Sequence, residues 1–93
     1  MNAASLTFTK AMADVGIRDG VQVNAINPGF IRTGRLRKRL ETISEKQLVR
    51  EAHIVRVGEP EDVANLVAYV VSPAGRFLHG ALIDIDGGQT KTI

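Results

Sequence analysis

Val21–Thr33, read as VQVNAINPGFIRT, is the stretch that decides how this 93-residue chain folds. Val21, Val23 and Ala25 alternate with Gln22, Asn24 and Ile26, a period of two over β-favouring residues, which predicts a strand over Val21 to Asn27. Pro28 has no N–H to give a sheet ladder and Gly29 reaches backbone angles closed to other residues, so the strand is expected to stop at Asn27 and turn. In an open α/β sheet, ligands collect beyond the carboxyl ends of the strands, where Pro28, Gly29, Phe30, Ile31 and Thr33 would lie.

Composition bounds what surrounds that strand. The length allows at most one small domain with a modest core, and 44% hydrophobic with 24% charged residues describes a globular chain. No run of 18 apolar residues suggests a membrane span. With no cysteine and two isolated histidines, His53 and His79, neither a disulfide framework nor a metal site is expected, and the expected compartment is the cytoplasm. The first residues, MNAASLTFTKAMA, are Ser/Thr-rich and acid-poor but lack a secretory apolar core.

On either side of the strand the pattern is helical. Ala3 to Val15 is Ala-rich, with Ala3, Leu6, Thr9 or Lys10 and Ala13 at turns of three and four, and Gly16 is expected to stop it, with Ile17 tucked against its end. After Thr33 the segment 34–52 carries charge at nearly half of its positions and a thin stripe at Leu36, Leu40, Ile43 and Leu48, which predicts one or two amphipathic pieces acting as a cover, not a core element. Pro60 then opens a stronger helix. Glu61 and Asp62 suit its positive end, Val63, Leu66, Val67 and Val70 recur at i, i+3, i+4 and i+7, and Ser72-Pro73 closes it. Ala81 to Ile85 alternates again and ends in Asp86-Gly87-Gly88, while the tail QTKTI is too short to assign.

About 55 residues separate the two strands, enough for a crossover, so the strands are expected to be parallel, adjacent and joined right-handedly. Two such strands do not complete a sheet, because Val21 to Asn27 would present unpaired backbone beside apolar residues. Further strands must come from a larger sheet or from another copy, and a homo-oligomer is the expectation.

Three blocks of this sequence, VNAINPGFIRT, then Arg56 to Ala64 (RVGEPEDVA), then His79 to Gly88 (HGALIDIDGG), resemble the C-terminal part of the short-chain dehydrogenase/reductase family. Their order and gaps fit over nearly the whole chain, so residues 1–93 read as a single partial domain. The resemblance implies an α/β fold, the last two strands of a Rossmann-type doubly wound parallel sheet with flanking helices, lacking the N-terminal strands, and a substrate lid over 34–57. It implies NAD or NADP as cofactor and a carbonyl or alcohol as substrate. Pro28 and Gly29 would border the nicotinamide, Phe30 would sit beside them, the Ile31 backbone would meet the carboxamide, and the Thr33 hydroxyl would approach the cofactor phosphates.

Other family features are not in these residues. A glycine-rich turn spaced GxxxGxG should follow the first strand, yet Gly16 and Gly20 follow a helix and Gln22 takes the third place. The proton-transferring Tyr of the family is followed four residues later by Lys. Tyr69, the sole tyrosine, has Pro73 at that spacing and reads as packing on an apolar helix face; counted back from Phe8-Thr9-Lys10, the lysine position is Asn2. No catalytic residue is therefore assigned, and the isolated chain is expected to be inactive and to bind no nicotinamide nucleotide tightly.

Plainer uses stand beside these. Thr33 would serve as a helix cap, and Asp84 and Asp86 as backbone acceptors beside the Gly-Gly turn. His53 and His79 read as ordinary satisfied histidines. A rival function rests on Arg32, Arg35, Arg37, Lys38 and Arg39, five positive charges in eight residues, with a sequence pI of about 9.4. Such a patch fits a small basic module for phosphate or nucleic acid. A net charge of +2, 4% aromatic content and the lack of a nucleic-acid-binding signature weigh against nucleic acid. In a lid the same arginines would draw in an anionic substrate or carrier.

Overall fold

A computed structural model describes residues 3–90; Asn2 and the end of the QTKTI tail lie outside the described residues. In chain order the elements are α1 (Ala3–Asp19), β1 (Ala25–Pro28), α2 (Gly34–Arg39), α3 (Glu45–Ala52), α4 (Pro60–Val71), a 3-10 turn at Pro73–Gly75 and β2 (Leu82–Ile85). β1 and β2 are neighbours in one two-stranded sheet. The Ala25 N–H donates to the Ala81 carbonyl and the Gly29 N–H to the Ile85 carbonyl, both chains advancing together as parallel strands do. The chain is therefore α/β with parallel, adjacent strands, as the crossover length predicted.

The residues group into two compact units. The first holds the described residues of Met1–Asn27 together with Leu66–Ile83. Here α1 runs past Gly16 to Asp19, a correction to the expected stop. Gly16 is buried, with the Val23 side chain and His79 ring closing on the place where a Cβ would stand. The break falls at Gly20, whose φ of 71° is the left-handed conformation that ends helices. Ile17 does not tuck against the helix end; it is 68% exposed.

The strand is also shorter at its start than the alternation implied. Val21–Asn24 are tied instead by side chains and loop bonds. The Gln22 amide donates to the carbonyls of Val70, Gly75 and Leu78, and Asn24 both donates to Leu78 O and accepts from Ala81 N. His79 accepts from Val23 N through Nδ1, and its Nε2 meets the Ala13 carbonyl, which makes it a satisfied histidine. Extended chain held by side chains rather than by a ladder is not a strand, although its residues alternate. Tyr69 is 52% exposed and Val67 41%, so of the apolar face of α4 that was expected to pack, Val70 alone is buried.

The second unit holds the described residues of Pro28–Asn65 and Asp84–Ile93. β1 ends one residue later than expected, at Pro28. A parallel ladder uses alternate N–H groups of a strand; Ala25 and Gly29 donate toward β2, so the missing N–H of Pro28 falls on the phase that faces away. Segment 34–57 forms two helices, and it does more than cover. Leu36 from α2, Leu48 from α3 and Val57 make a buried cluster, with Phe30, Leu40, Ile43 and Val49 packed on it. The stripe is thin because the helices are short, and each contributes one buried residue.

Both helices have readable ends. Ser44 accepts from Gln47 N at the start of α3, and His53 takes the left-handed conformation at its end, φ 55°. α4 starts where expected. Pro60 is its first residue, and Asp62 reaches back to accept from Glu59 N at 2.7 Å, half of a capping box. The Asp86 carboxylate accepts from Gly88 N and Thr90 N, so that acid is a turn-former, as read from the sequence.

Candidate functional site

The end of β1 builds the site. After Pro28 the chain does not coil away; Ile31 pairs in parallel with Gly58, Phe30 O accepting from Gly58 N and Arg32 N donating to Gly58 O, both at 2.8 Å. A parallel bridge uses the groups flanking the paired residue, so the N–H and C=O of Ile31 itself are turned away from Gly58. Neither makes a hydrogen bond among the described residues. Gly29 donates to Ile85 O, and a Cβ on it would stand 2.7 Å from Asp86 Cβ and 2.8 Å from Asp86 Cα. Close approach of two turns, rather than an unusual φ, is what requires glycine here.

Pro28, Gly29, Phe30, Ile31 and Thr33 line one cleft of about 310 Å³. All five residues named from the sequence are thus brought together. Thr33 stands at the N-cap position of α2, extended at φ −120°, but its side chain makes no cap hydrogen bond. The plain capping role is therefore not what its hydroxyl does.

Sequence reasoning did not assign three further residues to this wall, Arg35, Leu36 and Arg39. The signal was available: Arg39 is four residues from Arg35 and three from Leu36, spacings at which helix side chains are neighbours. Arg39 lies over the Phe30 ring, 5.4 Å from its centre, a cation–π contact. The first cation of the basic run behaves differently. Arg32 is held by two carboxylates, Glu45 at 2.7 Å and Glu59 at 3.0 Å. Hydrogen bonds that Arg32 donates first to Glu45 and then to Glu59 raise its already high pKa, and Arg32 in turn lowers that of Glu45. Arg32 therefore clamps the site segment to the start of α3 and to the residue before α4.

Behind the same segment lies a smaller hollow of about 160 Å³, lined in part by Phe30, Ile31, Arg56 and Asp62. Arg56 and Asp62 form a bidentate pair there, at 2.8 and 2.9 Å. Arg56 first, and the Glu59 N–H second, lower the Asp62 carboxyl from 3.8 to about 2.

Against known proteins, the family model described as enoyl-(acyl carrier protein) reductase matches residues 1–90. The chain belongs to the short-chain dehydrogenase/reductase family. It is 37% identical over 87 residues to an acetoacetyl-CoA reductase of Shinella zoogloeoides, covering 94% of this chain and 36% of that protein. It is 38% identical over 89 residues to a cyclohexanol dehydrogenase of Rhodococcus sp. strain TK6, 95% of this chain and 33% of that one. An NADPH-bound short-chain oxidoreductase from Pseudomonas aeruginosa PAO1, with an atypical catalytic center, superposes with a TM-score of 0.85 at 29% identity, over 98% of this chain and 37% of that chain. The chain thus spans about a third of the length of these relatives, and its two parallel strands with their helices are part of a Rossmann-type fold like theirs. Among the described residues no helix is long and apolar enough to cross a membrane.

Proposed function

We propose that this chain supplies the nicotinamide-facing and substrate-lid portion of an NAD(P)-dependent oxidoreductase that interconverts a carbonyl and an alcohol. The observation that carries the reading is the cleft beyond the carboxyl end of β1, where Pro28, Gly29, Phe30, Ile31 and Thr33 meet. Its groups suit a flat amide-bearing ring. Phe30 and Pro28 offer apolar contact, the Ile31 N–H and C=O offer one donor and one acceptor side by side, and the Thr33 hydroxyl is uncommitted to the helix it precedes. A bound nicotinamide would supply hydride transfer. The chain's own contribution is to orient that ring through Ile31, to keep water from it with Phe30 and Leu36, and to hold the whole segment still through Arg32.

Titration of the isotopically labelled 93-residue chain with NADH and NADPH, read from backbone amide shifts, tests this. Shifts concentrated at Gly29, Phe30, Ile31 and Thr33, weak and without turnover of the nucleotide, are expected. Shifts elsewhere, or none at millimolar nucleotide, would overturn the assignment; turnover by pure chain would overturn the proposed inactivity of the isolated piece.

A further inference from the structure

The basic run from Arg32 through α2 separates into three groups. Arg32 is neutralised by Glu45 and Glu59, while Arg35, Arg37, Lys38 and Arg39 form no ion pair among the described residues. Of these four, Arg35 and Arg39 line the cleft, and Arg37 and Lys38 do not. Arg35 and Arg39 are four residues apart on α2, so two like charges share one helix face. No acid lies in the first turn of α2 to relieve them. Arg39 is further positioned by the Phe30 ring beneath its guanidinium. The remaining lining is largely apolar, from Pro28, Phe30, Ile31 and Leu36.

Resting on the cofactor reading above, we infer that the substrate of this site is an apolar carbonyl or alcohol compound that carries an anionic group, held by Arg35 and Arg39. Two guanidiniums can each present a paired donor fork to a carboxylate or a phosphate, and an anion between them removes their mutual repulsion. Pro28, Phe30 and Ile31 line the same cleft and cover the apolar part. Neutral ketones and alcohols would leave both charges facing an apolar ligand and would bind worse.

Amide-shift titrations with 4-oxopentanoate and with hexane-2,5-dione, its neutral counterpart of the same size, test the inference on the full chain. The anion is expected to bind at least tenfold more tightly, and the preference to vanish in R35Q/R39Q but persist in R37Q/K38Q, which has the same net charge. Coenzyme A serves as the phosphate probe, and whichever anion depends more on Arg35 and Arg39 names the source. Equal binding of the neutral ketone, or equal losses in both double variants, would overturn the inference by showing that shape or net charge alone is at work. Reduced nicotinamide riboside, which has no phosphate, keeps the two readings apart. Its shifts at Gly29 and Ile31 should survive R35Q/R39Q, and their absence in the unmodified chain would sink the cofactor reading alone. If R35Q/R39Q instead weakens NADH without affecting 4-oxopentanoate, the two arginines serve the cofactor's pyrophosphate and the inference fails.

Discussion

Gly29 and Asp62 show how single residues set this site. At Gly29 a methyl group would meet Asp86 backbone and Cβ at under 3 Å, and backbone cannot swing aside as a flexible side chain would. Gly29→Ala should therefore cost about 1–3 kcal/mol by urea denaturation, with the loss centred on the turn at Asp86. The neighbouring case is milder, since the one contact under 3 Å that a Cβ on Gly58 would make is with the tip of Ile31. Asp62 gives a pH signature. Its carboxyl is lowered from 3.8 to about 2 by the Arg56 hydrogen bonds and then the Glu59 N–H, so folding favours its ionised form. The stabilisation is fully present above 3.8 and is lost as pH falls through about 2. Thermal melts of the natural chain and Asp62→Asn should differ at pH 6 and converge between pH 4 and 2; a difference unchanged across that window would show that the pair contributes nothing to titration.

At the level of elements, α2 and α3 carry the buried cluster of their unit, not a surface cover. Leu48 is 2% exposed, as is Val57, and Leu36 is 5% exposed. Leu48→Ala should cost about 2–5 kcal/mol and raise amide exchange through Gly34–Ala52 far more than in α1. Uniform exchange changes would mean that the helices do not depend on this contact. The helix beginning at Pro60 was legible because proline at the first position, two acids and an apolar repeat agree with one another. α1 was legible in its start and type but not in its end. Gly16 looked like a stop, yet it is a packing glycine, and only the neighbours Val23 and His79 reveal that. Likewise the alternation over Val21–Asn24 was genuine but was satisfied by Gln22, Asn24 and His79, because a side-chain amide can replace a ladder bond.

For the molecule as a whole, burial tells what two strands can achieve. Phe77 is 99% exposed, Val55 81%, Val71 72%, and Phe8 and Ile17 each 68%, large apolar surfaces for so short a chain. The sheet has two strands among the described residues. Self-association of the purified chain should therefore appear in sedimentation as a mass that rises with concentration; a stable monomer across a hundredfold range would contradict it.

The sequence by itself determined the elements and the family. Proline placed the start of α4 and, to within one residue, the end of β1, apolar periodicity marked where the helices lie, and three short motifs in order named the fold, because each is a local constraint written in neighbouring residues. Tertiary structure alone decided which alternating residues become ladder, which arginine is a clamp and which line the cleft, and which glycine is needed for room. Those outcomes depend on partners elsewhere in the chain, Glu45 13 positions from Arg32 and Asn24 57 positions from Ala81 among them, and no local pattern records such a meeting.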